Sequence, residues 1–180
     1  MILGVDPGFA ALGWVVAGTE TGRMEVEDWG CTRTAKSSSN KVRQADDRAR
    51  RIREQVRAVL EVLDRFDVRL AVVEAPPGGR AMSSSASVAI ATAYALVVAT
   101  LEARQVPVLL VVPWQVRKTL TGKINGGKVD AARVVVSTPG FVDLARWLVG
   151  VPKNQAEHVL DAAACLVASV DEPLVRAVMR

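Results

Sequence analysis

Three short apolar runs crowd into the first 32 residues with only turns between them, and strand-like runs then alternate with helical ones along the rest of the chain. Residues 2–5 (Ile-Leu-Gly-Val) and 14–17 are too short for helices, and residues 24–32 add a third run with some alternation. Glycines between 8 and 13, and again at 18 and 22, supply the intervening turns, so the segment reads as a three-stranded meander. A polar, serine-rich stretch at 36–40 reads as a loop. Over 45–66 the apolar positions Ile52, Val56, Val59, Leu60 and Leu63 recur at helical spacing, with Arg50, Arg51, Arg53, Glu54 and Arg57 assigned to the opposite face. Residues 69–74 form a strand stopped by Ala75-Pro76-Pro77-Gly78-Gly79. A long alanine-rich helix over 83–104 follows, then a buried strand over 106–112 that Pro113 ends. Helices are predicted over 114–120, 129–137 and 156–170, with a loop at 122–127. The order β-β-β-α-β-α-β-α-α-α predicts an α/β fold. Its mixed sheet joins a three-stranded antiparallel meander to parallel strands, with helices on both faces.

The chain of 180 residues is the size of one domain, with the fold occupying about residues 2–170; no repeat or linker divides it. Half of its residues are hydrophobic, enough for a core without metal or disulfide support. Cys31 and Cys165 are isolated, which fits neither a disulfide framework nor a zinc site and points to a reducing, cytoplasmic setting. No secretory leader can be drawn at the N-terminus. The longest apolar stretch, residues 88–101, is shorter than the roughly 20 residues of a spanning helix, so no membrane is expected. The net charge of +4 permits a polyanionic partner without requiring one. Within the 83–104 helix, Val88, Ile90, Tyr94, Leu96, Val97, Val98 and Leu101 cover more than one side. Burial on two sides follows, and a symmetric two-fold homodimer through this helix is the expected arrangement. The competing reading is a helix sandwiched within one subunit.

Asp6 closes the first strand and Glu74 the fourth. A carboxylate at the end of a buried strand is costly unless a cation meets it. If the two strands are neighbours, Asp6 and Glu74 converge, and a divalent cation such as magnesium relieves their repulsion. On the last helix His158 and Asp161 are three apart and share a face, but Glu157 is four from Asp161 and shares it too. Helix geometry leaves that choice open.

These residues occur in segments that resemble the RuvC family of Holliday-junction resolvases. Ile2-Leu3-Gly4-Val5-Asp6-Pro7-Gly8 with Phe9 to Trp14 is similar to that family's first strand-turn-strand. Gly30-Cys31-Thr32-Arg33-Thr34, Ala71-Val72-Val73-Glu74, the basic segment Gln115-Val116-Arg117-Lys118-Thr119-Leu120-Thr121-Gly122 with Lys128, and His158-Val159-Leu160-Asp161-Ala162-Ala163-Ala164 follow in the family's order. The resemblance implies an RNase H-like fold, a homodimer, and paired symmetric nicks in four-way DNA that leave 5′-phosphate ends. It implies catalytic and metal-binding roles for Asp6, Glu74, His158 and Asp161, favouring His158 over Glu157, with Lys128 neutralising phosphate charge. Two Mg2+ ions per site are expected, with Mn2+ able to substitute. Arg117 and Lys128, then Lys118 and Lys123, are the implied DNA contacts. The family typically places an aromatic residue three after the second acid; here that residue is Pro77, so either Arg80 or Met82 shares in opening the junction or the junction core is opened less. Branched DNA is the expected partner, with branch-migration machinery as a further candidate.

Other readings fare worse. Gly122 to Lys128 fits a phosphate-binding loop, but Val129 stands where Ser or Thr must hold magnesium. An actin-like ATPase needs two such domains. A non-catalytic branched-DNA binder would not require all four catalytic positions to be filled. A RuvC-like nuclease that prefers flaps, forks or replication branches remains an alternative.

Overall fold

A computed structural model describes residues 1–76 and 85–180. Five strands, β1 (Ile2–Asp6), β2 (Ala11–Gly18), β3 (Glu25–Arg33), β4 (Leu70–Glu74) and β5 (Val108–Val111), form one sheet in the order β3-β2-β1-β4-β5. The meander is antiparallel, with Ile2 opposite Ala17 and Asp6 opposite Gly13, and a register shift bends β2 against β3 between Val16 and Ala17. β4 joins β1 in parallel, Val5 beside Val73, and β5 joins β4 in parallel, Glu74 beside Val111. The mixed sheet read from the sequence is the one observed.

Strand alternation sorts the side chains onto two faces. Leu3, Val5, Leu12, Val16, Ala71 and Val73 meet α1 (Gln44–Arg65) and α2 (Ser85–Ala103) through Val59, Val62, Val97 and Leu101. Ile2, Val15, Ala17, Leu70 and Val72 meet α6 (Lys153–Ala168) through Val159, Ala162, Ala163 and Leu166. Around α6 lie α3 (Pro113–Thr121), α4 (Lys128–Val135), α5 (Val142–Trp147) and α7 (Pro173–Val178). The short α5 and α7 were not expected; at six residues each they are under two turns, too short to display a periodicity.

Two helices differ in orientation from expectation. In α1 the buried residues are Asp47, Arg51, Gln55, Ala58, Val59 and Val62. Its first half therefore buries polar side chains, and Arg51, assigned from its charge to the solvated face, is only 7% exposed. Hydrophobic spacing misplaced it because hydrogen bonds to a turn, described below, compensate its desolvation. In α2, Ala93, Val97, Thr100 and Leu101 are buried while Val88 is 47% exposed and Ala95 and Ala99 face outward. The helix is thus not sandwiched within the subunit. By length and a mean hydropathy of 1.7 it could also cross a membrane, although here one side is seated on the sheet.

Candidate active site

Asp6 has the strand parity of Ile2 and Gly4, and Glu74 that of Leu70 and Val72, so both side chains emerge on the face that α6 covers. The parallel pairing puts them side by side at one end of the sheet, as expected if the strands were neighbours. Helix α6 then crosses close enough to add its own groups. A Cβ placed on Gly13 would stand 2.2 Å from the carbonyl oxygen of His158, and one on Gly4 would stand 2.5 Å from that of Ala162. Only glycine at these two strand positions leaves room for the backbone of α6.

That approach brings His158, and not Glu157, against Asp6. His158 Nδ1 donates to Asp6 Oδ2 at 2.6 Å, while Glu157 is exposed and lies near Lys153. The bond to Asp6 raises the imidazole pKa above its usual value despite partial burial. Asp161 accepts a hydrogen bond from Lys128 Nζ, also at 2.6 Å. Burial pushes the Asp161 carboxyl up, and Lys128 works against that shift. Burial lowers the Lys128 pKa, but the bond to Asp161 and the field of Asp6 and Glu74 outweigh it, so the ammonium is held charged. Glu74 is pushed up to about 8, first by burial and then by the charges of Asp6 and Asp161 and a hydrogen bond with Asp6. Near neutral pH the Glu74 carboxyl therefore favours its protonated form.

A small cleft of about 40 Å³ is lined by Glu74, Asp161, Lys128 and Arg117, with Pro113, Val116, Ala131 and Ala164. Lys128 opens α4 and Arg117 lies on α3, so five elements contribute groups to one place. Lys118 and Lys123 are exposed and line other grooves, Lys118 beside Trp114 and Glu172, and Lys123 beside Asp130 and Arg133. Pro77, Arg80 and Met82 lie outside the described residues.

Among the described residues no three Asp, Glu, His or Cys side chains stand ready-made as a cation cage. Two of the acids instead meet a partner from the protein, His158 at Asp6 and Lys128 at Asp161, while burial favours the protonated form of Glu74. The donor set nevertheless fits a hard divalent cation. Asp6, Glu74 and Asp161 lie close enough that, after burial, the charges of Asp6 and Asp161 add to the rise in the Glu74 pKa.

Sequence reasoning missed the support beneath Asp6. Gln55 and Arg51 of α1, with Thr34, bond the backbone of the turn that follows it. The available signal was a glutamine and an arginine recurring at i and i+4 toward the sheet side of α1.

A profile of the crossover junction endodeoxyribonuclease RuvC family matches residues 2–138. The fold is similar to that of Thermus thermophilus RuvC in complex with Holliday junction substrate (TM-score 0.67, 22% identity, covering 94% of this chain and 92% of that one). It is also similar to the yeast mitochondrial Holliday junction resolvase Ydc2 (TM-score 0.62, 13% identity, 99% and 81% covered). Fowlpox virus resolvase, solved with Holliday junction DNA, matches with a TM-score of 0.54 at 11% identity, over 94% of this chain and 99% of that one. No curated protein gives a significant match.

Proposed function

Since the chain belongs to the RuvC family of crossover junction endodeoxyribonucleases, we propose that it resolves four-way DNA junctions by metal-dependent phosphodiester hydrolysis. The observation that carries this reading is the meeting of Asp6, Glu74, His158 and Asp161 at one end of the sheet, with Lys128 and Arg117 against the same cleft.

Asp6, Glu74 and Asp161 are the groups that would hold the divalent cations, which we take to be magnesium, two per site. Bound there, such cations acidify the attacking water and stabilise charge on the leaving oxygen. The protein's own groups do the rest. Lys128, held charged beside Asp161, neutralises negative charge gathering on the scissile phosphate. The guanidinium of Arg117, restrained by a bond from its Nε to the Pro113 carbonyl, grips a neighbouring phosphate oxygen. His158 orients Asp6 and, with its pKa raised, carries a proton near neutral pH. Hydrolysis that expels a 3′-oxygen leaves 5′-phosphate ends, which can be religated.

Asp6→Asn, Glu74→Gln and Asp161→Asn should each lower single-turnover cleavage of a labelled four-way junction by at least about a hundredfold, on the scale of losing a catalytic group. Binding in gel-shift assays should persist. A panel of junction, flap, fork and duplex substrates measures the preference for four-way DNA. Near wild-type cutting by a variant would remove that residue from the site, and cutting of plain duplex as fast as junction would overturn the assignment.

A further inference from the structure

The turn between Asp6 and β2 is gripped from the face of the sheet opposite α6. Gln55 is fully buried on α1, and its Nε2 donates to the carbonyls of Gly8 at 2.7 Å and Phe9 at 3.0 Å. The Phe9 carbonyl receives two further donors, Thr34 Oγ1 at 2.6 Å and Arg51 Nη2 at 3.1 Å. Arg51 is fixed in its turn, donating from Nε to Thr34 Oγ1 at 3.0 Å and lying over the Phe9 ring at 4.4 Å. Three side chains from two segments thus converge on one carbonyl three residues beyond Asp6.

We propose that Gln55, with Arg51 and Thr34, is a positioning residue for the acidic site: it holds the Gly8 and Phe9 carbonyls and so fixes the turn that carries Asp6 against His158. This rests in part on the nuclease reading above. A packing role alone does not account for the residue. Gln55 Oε1 is buried and has no hydrogen-bond partner among the described residues. An apolar side chain of the same length would fill the space without that cost, so what the amide contributes is its pair of donors. The turn they hold has little freedom elsewhere. Pro7 fixes its own φ, and Gly8 lies against the imidazole, a Cβ there standing 3.3 Å from His158 Cε1. Asp6 directly precedes this turn, so a shift of the turn released from below is transmitted to the contact of Asp6 with His158, a pair now 2.6 Å apart.

The chain's single histidine makes this testable without substrate, because the Cε1–H resonance of His158 is the only one of its kind. It is read by NMR in the full chain with chelator present, at one fixed pH, with Asp6→Asn defining its position when the pair is broken. Gln55→Met, which keeps length and removes the donors, should move the resonance toward the Asp6→Asn position. Thr34→Val should move it the same way by less. Val59→Ala, a buried change on the same helix that leaves the turn's partners intact, should leave it in place. Single-turnover cleavage by Gln55→Met should fall about tenfold or more at unchanged junction affinity, as expected for a displaced catalytic group. An unmoved resonance in Gln55→Met overturns the proposal, as does an equal movement in Val59→Ala. If Gln55→Met does not fold, an unmoved resonance in Thr34→Val overturns it instead. If the wild type cuts no branched DNA, the nuclease reading fails while the NMR result still decides the positioning role.

Discussion

Folding changes the chemistry of the Glu74 carboxyl. Folding takes its carboxyl from the ordinary value of 4.5 to about 8, through burial first and the charges of Asp6 and Asp161 second. The sign of the consequence follows from linkage. Below about pH 4.5 both folded and unfolded chains hold the proton. As pH climbs toward 8 the unfolded chain releases it freely, while the folded one must keep it or carry an unfavourable charge. Stability without metal is therefore lost as pH rises from about 5 to 8, with a slope approaching about 1.4 kcal/mol per pH unit where the two states differ by a full proton. Asp161 and His158, also raised, add shifts of the same sign. Thermal melts in chelator should show Tm falling across this range, and Glu74→Gln should flatten most of the fall. Adding magnesium should restore more stability at pH 8 than at pH 6, since binding competes with the proton. A Tm that climbs with pH in chelator would contradict the convergence of the acids.

Among the elements, α6 depends on two glycines in the strands beneath it. The space a side chain would need at Gly13 is occupied by the His158 carbonyl, a backbone atom that cannot rotate away. Gly13→Ala should push α6 off the sheet at the point where it delivers His158 to Asp6. We expect a loss of about 1–3 kcal/mol, typical of overpacking, together with loss of cleavage larger than the stability change explains. Denaturant melts and single-turnover rates on the same preparation measure both. A variant with wild-type rate and stability would mean that the two layers have slack. In contrast, α1 shows that an element's buried face need not be its apolar one: Arg51 and Gln55 are inside because a turn of bare carbonyls is there to receive them.

At the scale of the whole molecule, α2 presents an outer side with Val88, Ala95 and Ala99 exposed and no charge before Glu102. We propose that a second copy covers it in an isologous two-fold contact, which would place one site on each subunit and suit paired nicks. Ala95→Glu puts a charge into that contact and should convert a dimer to a folded monomer in analytical ultracentrifugation at micromolar concentration. The variant should then nick opposing strands in an uncoordinated way. A wild type that sediments only as monomer would defeat the dimer.

The order of elements along the chain, the meander and the mixed sheet were legible because strand and helix periodicities survive in short apolar runs, and Asp6 and Glu74 stood out as charges ending such runs; the strand order within the sheet was not. The two six-residue helices were not legible, being too short to carry a period. Nor could spacing choose between Glu157 and His158, since both share a helix face with Asp161. The resemblance favoured His158, and the contact of His158 with Asp6 comes from the register of α6 over Gly4 and Gly13, between elements about 150 residues apart in the chain. The raised pKa of Glu74, the bond between Lys128 and Asp161, and the grip of Gln55 on the turn likewise exist only once distant segments are packed together. Local sequence determined which segments are strands and helices and where the acids fall along them. Desolvation and charge proximity, which turn those acids into a site, are properties of packing, and only the tertiary structure decides them.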